Sequence, residues 1–224
     1  RLNAYDKLVG EESKEKEAKL ELFIPPGPRL GAKVIEVNNV SKAYGDKLLF
    51  ENLSFSLPQG GIVGIIGPNG AGKTTLLETI LGFGFPSGGE ATLWKINATE
   101  ISGDIKQRIG FVPQQDELLP SLTGMDHLKL FKSFRTHWNQ PLVDKLIAEW
   151  LVPMDMHTGK MSVGQRQKLS ILLALAHEPE LLILDEPVAS LDMAAREHTI
   201  SVLGNYASAP TAPAIVMVTH HIEE

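Results

Sequence analysis

The nine residues from Gly67 to Thr75, GPNGAGKTT, constrain this chain more than any other part of it. They fit the pattern GxxxxGK[ST] and follow the apolar run Ile62 to Ile66, so a strand should lead through a glycine-rich loop into a helix. Gly67, Gly70 and Gly72 let the backbone fold tightly around a polyphosphate, with N–H groups pointing inward and the positive end of the helix behind them. Pro68, Asn69, Ala71 and Thr75 belong to the same nucleotide-binding stretch. Lys73 adds a point charge for the β- and γ-phosphates, and the Thr74 hydroxyl is placed to ligate the Mg²⁺ that bridges them. A glycine turn matching by chance is the competing reading. Leu76, Leu77 and Ile80 argue against it, because they continue as one helical face. A nucleoside triphosphate with Mg²⁺ is the expected ligand.

Composition narrows the surroundings. At 224 residues and 43% hydrophobic content the chain can bury a substantial core. The formal charge of −6 argues against a surface that holds nucleic acid by bulk electrostatics, so no direct DNA binding is expected. Without cysteine there is no disulfide, thiolate metal site or cysteine nucleophile. No apolar run approaches the roughly 20 residues that span a bilayer, and the first residues lack a signal-peptide pattern. A cytoplasmic location is expected, and any membrane must be crossed by another chain or region.

Residues 1–32 read as a charged helix and a linker: EESKEKEAK at Glu11 to Lys19 is densely charged, and Pro25, Pro26, Gly27 and Pro28 stop any helix. A domain over 33–224 follows. Val34 to Val40 alternates imperfectly as a strand, and Leu53, Phe55 and Leu57 form a clearer alternation. After the Gly- and Pro-rich stretch Phe85 to Glu90, a short strand at Ala91 to Trp94 completes a small antiparallel layer beside the nucleotide site. Ile109 to Val112 reads as a strand, Met125 to about Leu151 has helical spacing, and a helix is expected over Val163 to His177. Leu181 to Leu184 is a continuous apolar run of the kind buried in a parallel sheet, and Ala214 to Val218 is the last strand. Strands alternating with helices imply a right-handed α/β core.

LLILDE, Leu181 to Glu186, ends a buried strand in two adjacent carboxylates, where an open α/β sheet places its functional groups. Asp185 can hold Mg²⁺ directly or through a water, and Glu186 can polarise the attacking water as a general base. Two solvated acids in a turn are the bland alternative. Between the two motifs lies MSVGQ, Met161 to Gln165, where Ser162 is a natural N-cap and Gln165 completes a capping box. Alone, that is a well-made helix start.

The order GPNGAGKTT, Gln114 in FVPQQ, MSVGQ, LLILDEP, SLD at Ser190 to Asp192 and His220 in VTHH resembles the ATP-binding cassette (ABC) ATPases, over nearly everything from Lys33 to Glu224. The resemblance implies an α/β fold: a P-loop NTPase core of ABC type, with an antiparallel β subdomain and a helical signature subdomain at about 118–177. MSVGQ would correspond to the family signature LSGGQ, with Ser162, Gly164 and Gln165 contacting the γ-phosphate of ATP on a second cassette. Two cassettes, identical or different, would then sandwich two ATP molecules head to tail. Tyr44 resembles the residue that stacks on adenine, an edge or core tyrosine being the alternative. Gln114, with Gln115 as the neighbouring register, resembles the loop glutamine that senses Mg²⁺ and the water. Asp192 resembles the acid that communicates between paired sites, or else caps a helix. His220, rather than His221, resembles the switch histidine at the γ-phosphate.

Val163 stands where the signature has glycine, placing a stiff Cβ where backbone should approach phosphate. The family continues with further strands after this histidine, so a C-terminal truncation is expected. The front part, from the charged helix through the P-loop, looks like the linker and second cassette of ABC-F translation factors. The back part, with MSVGQ and DEPVASLD, looks like a transporter-type ATP-binding subunit, as a mosaic would. The expectation is an ATP-hydrolysing cassette that serves an ABC transporter at the inner face of a membrane with a transmembrane subunit. The alternative is a fragment of an ABC-F-type factor acting on the ribosome.

Overall fold

Half-exposed strands and more deeply buried ones build two separate sheets here. The computed structural model describes residues 21–23, 33–189, 191–207 and 212–219. The charged stretch Glu11 to Lys19, the turn Pro25 to Pro28, Ser190, His220 and His221 lie outside the described residues. Among the described residues, β1 (Glu21–Phe23), β4 (Ile62–Ile66), β7 (Ile109–Val112), β8 (Leu181–Asp185) and β9 (Ala214–Thr219) form one sheet in the order β1-β4-β9-β8-β7. Its last four strands are parallel, and β1 closes the edge antiparallel to β4. The second sheet is antiparallel, in the order β3-β2-β5-β6, from β2 (Lys33–Tyr44), β3 (Lys47–Pro58), β5 (Gly88–Leu93) and β6 (Ile96–Asn97). The helices are α1 (Lys73–Ile80), α2 (Gly103–Gln107), α3 (Gly124–Ser133), α4 (Gln140–Trp150), α5 (Val163–Leu175) and α6 (Met193–Ala207).

The apolar run of β8 is explained by its position between two cores. Leu181 and Ile183 pack with β2, β4 and α1, while Leu182 and Leu184, pointing the other way, pack with α3, α4 and α5. All four are inaccessible to solvent. Burying each contributes on the order of 1.5–3 kcal/mol, so a polar residue at any of them would disrupt one core. Asp185 follows Leu181 and Ile183 on the α1 face.

Four expectations are modified. No strand is expected before Lys33, yet Leu22 pairs opposite Ile65 at the sheet edge; three residues are too few for alternation to register. The strand expected at Ala91 to Trp94 stops at Leu93, and Trp94 and Lys95 form a two-residue turn with φ +49° and +68°. That conformation is unfavourable for a bulky residue, and a stacking contact offsets it: the Arg108 guanidinium lies 3.8 Å from the Trp94 ring. Arg108 in turn grips Glu180 through two bonds of 2.7 and 2.6 Å, so this turn is tied to the start of β8. The helical stretch from Met125 breaks between α3 and α4, where Asn139 caps α4 and Pro141 enters its first turn.

The helix expected to reach His177 ends at Leu175, and His177 turns inward, only 3% exposed. Its Nε2 faces the Ile109 carbonyl at 3.1 Å and so carries the proton. Burial first, then the nearby Arg135 charge, pull its pKa from 6.5 down to about 4. The unfolded imidazole therefore binds a proton that the folded one refuses. Its contribution is complete above about pH 6.5 and is lost as pH falls towards 4. Urea unfolding at pH 7 and pH 5 should show a loss of about 2 kcal/mol from this group, which His177→Gln should abolish. An unchanged pH slope in His177→Gln would refute the assignment.

Candidate nucleotide site

β4 delivers the chain to the loop 67–72, and two glycines give that loop its shape. Gly70 and Gly72 have φ of +85° and +86°, a region costly for side chains. At Gly72 an added Cβ would approach Leu49 Cβ to 3.1 Å; at Gly70 it would meet nothing within 4 Å, because that side is open cleft. The Lys73 ammonium lies over the loop, donating to the Gly67 and Pro68 carbonyls at 2.7 and 3.2 Å. Ala71 is buried, and its N–H donates to the Pro68 carbonyl.

β8 meets this loop from behind. Thr74 Oγ1 donates to Asp185 Oδ2 at 2.8 Å, joining residues 111 apart in sequence. The second oxygen, Asp185 Oδ1, is buried with no hydrogen-bond partner among the described residues. Burial raises the Asp185 pKa, Glu186 and Glu78 push the same way, and the Thr74 bond and Lys73 oppose them. A hydroxyl beside a carboxylate with a spare buried oxygen is a hard, all-oxygen donor pair, and it fits Mg²⁺. Gln114 lies exposed on the rim of the same cleft.

Glu186 leaves the strand with φ +54° and is held by its N–H bond to the Val218 carbonyl. The backbone turn re-aims it, so its buried carboxylate comes within 3.7 Å of Lys73 Nζ and lines the cleft. The cleft, about 450 Å³, runs from Glu186 and Gln114 past Asn69, Thr74 and Thr75 to Tyr44. Lys47 and Leu49 also line it. Neither is among the residues singled out from sequence, although the turn at Gly45, φ +56°, pairs Tyr44 with Lys47 and carries the signal.

Ser162, Gly164 and Gln165 do not line this cleft. Their capping box forms as expected: Ser162 Oγ accepts from Gln165 N at 3.2 Å, and Gln165 Oε1 accepts from Ser162 N at 2.8 Å. Val163 is 49% exposed and starts α5 without a positive φ, so the backbone there has no need of glycine. Asp192, also outside the cleft, caps α6 by accepting from Ala195 N at 2.9 Å. An additional tie appears between Arg166 and Asp116, 2.9 Å, joining the signature helix to the loop after Gln114. His220 is not among the described residues.

An α/β core with a glycine cradle between a buried strand and a helix, beside an acidic strand end, defines a P-loop NTPase. A family model described as ABC transporter matches residues 50–189. The energy-dependent translational throttle protein EttA of Escherichia coli K12 is 36% identical over 200 residues, covering 86% of this chain and 34% of EttA. Nod factor export ATP-binding protein I of Burkholderia orbicola is 36% identical over 199 residues, covering 85% of this chain and 64% of that protein. A dimeric ATP-binding cassette solved in a post-hydrolysis state with ADP and Pi superposes with a TM-score of 0.73 at 25% identity, covering 84% of this chain and 88% of that one. The chain thus belongs to the ABC transporter family, as an ATP-binding cassette of the P-loop ATPase class. It spans about a third of EttA and 64% of the Nod factor protein.

Proposed function

We propose that this chain binds Mg-ATP in the cleft from Tyr44 to Glu186 and hydrolyses it as the nucleotide-binding unit of an ABC transporter. Placement of the signature carries the reading. A helix N-terminus favours a phosphate, and that of α5 stands outside the chain's own cleft, which supports its meeting the phosphate of a second cassette. Closure then joins the P-loop of one cassette to Ser162, Gly164 and Gln165 of the other.

In this mechanism Tyr44 stacks on adenine, the N–H groups of the loop and Lys73 hold the β- and γ-phosphates, and Glu186 takes the proton of the attacking water. Thr74 and Asp185, with Gln114 at the rim, would hold Mg²⁺, which would supply positive charge for the phosphate oxygens. His220 contacts the γ-phosphate, and Asp192 relays between the paired sites. The Nod factor protein's likeness favours a transmembrane partner, with the cassette at the inner face of the membrane.

The likeness to EttA over 86% of the chain favours a second reading, a ribosome-associated factor. Sedimenting the Glu186→Gln variant with Mg-ATP, with and without ribosomes, tests both. An ATP-dependent dimer that ignores ribosomes is expected. Co-sedimentation with ribosomes would support the second reading, and a monomer in every condition would overturn the head-to-tail closure.

A further inference from the structure

We propose that Lys42 is a positioning residue for the base-stacking ring of the cleft, locking Tyr44 to the segment that follows the phosphate-binding helix. This inference rests on the reading of the cleft as a nucleoside triphosphate site. Lys42 and Tyr44 are two apart on β2 and so share a face of the strand. The Lys42 ammonium lies 4.7 Å from the Tyr44 ring centroid, within range for a cation–π contact. The same ammonium donates to the Phe85 carbonyl at 2.6 Å. Tyr44 lines the cleft and Lys42 does not.

The neighbouring bonds make this a built arrangement. Ser87 N donates to the Ser41 carbonyl at 2.8 Å, and Ala43 N donates to Ser87 Oγ at 3.1 Å. The stretch 85–87 is therefore laced along the strand that carries Tyr44. At its other end this segment leaves α1, where Phe83 N donates to the Glu78 carbonyl at 2.8 Å. One lysine thus connects the ring that meets the base with the segment that leaves the phosphate-binding helix.

Tyr44 itself is 57% exposed, so little packing holds it. An exposed ring without support samples several rotamers, and a ligand that stacks on it must bear the cost of ordering it. Lys42 removes part of that cost before the base arrives. A triphosphate without a base gains nothing from an ordered Tyr44, and this separates positioning from charge. Loss of a distant positive charge weakens both ligands alike, whereas loss of the platform weakens ATP alone.

The test is calorimetric titration of the full chain with Mg-ATP and, separately, with Mg-tripolyphosphate, for the wild type, Lys42→Met and Lys42→Arg. Lys42→Met should raise the Kd for ATP about three- to tenfold while the tripolyphosphate Kd moves less than about twofold. Arginine stacks on rings and donates hydrogen bonds, so Lys42→Arg should restore most of the ATP affinity. With saturating ATP, kcat of Lys42→Met should stay within about twofold of wild type, since no reacting atom is touched. An unchanged ATP affinity in Lys42→Met, or equal weakening of both ligands, overturns the positioning role. A wild-type chain that binds neither ligand overturns the nucleotide reading, and this inference with it.

Discussion

Replacing Glu186 by Gln is expected to slow Mg-ATP turnover about a hundredfold or more while leaving ATP bound. Glutamine preserves the shape of a side chain that is 3% exposed in a left-handed turn, so the backbone bond to Val218 and the cleft should persist. What disappears is the carboxylate able to take a proton. Lys73 keeps its bonds to the Gly67 and Pro68 carbonyls, and a negative charge near the incoming γ-phosphate is removed. Affinity for ATP should therefore hold or rise. Phosphate-release kinetics give turnover, and titration with Mg-ATP gives Kd. Near-normal turnover would place the base on another residue.

Lys73→Ala should have the opposite signature, a loss of binding. Lys73 is 6% exposed, and its ammonium is pinned by two carbonyls and set beside Glu186 at 3.7 Å, so its position is determined before any phosphate enters. A charge-assisted bond contributes about 1.5–3 kcal/mol, and losing one or two of them to phosphate raises Kd roughly a hundredfold. Lys73→Met retains much of the stem and should bind as poorly, which distinguishes lost charge from lost packing. Titration with Mg-ATP reads the effect, and thermal unfolding confirms that both variants fold. ATP affinity within about threefold of wild type would remove Lys73 from the phosphate site.

The two variants address features of different visibility. The cradle and Lys73 are contiguous in sequence, because wrapping one polyphosphate needs glycine and lysine at fixed short spacing. The acid pair is also visible, since β8 must be apolar on both faces and the chain turns polar only where it emerges. The capping box at Ser162 and Gln165 was readable for the same reason, its two bonds lying within one turn. Lys42 and Leu49 carry no such signal, whereas Lys47 is marked only by the turn at Gly45. Their place in or beside the cleft arises from the pairing of β2 with β3 and, for Lys42, from the loop laid along β2, 43 residues further on. Trp94 was misplaced into a strand because β propensity favours an aromatic there, whereas stacking on Arg108 favours the turn.

By itself the sequence determined the P-loop, the strand ending in Asp185 and Glu186, the helical signature and the α/β class, because each is a local pattern enforced by short-range geometry. Tertiary structure alone decided that Thr74 bonds Asp185 across 111 residues, that a left-handed turn aims Glu186 towards Lys73, and that Ser162 stands outside its own chain's cleft. The physical reason is the shared strand β8: its alternate side chains bind it into two cores at once, and only that fixed placement brings its acidic end against the phosphate loop.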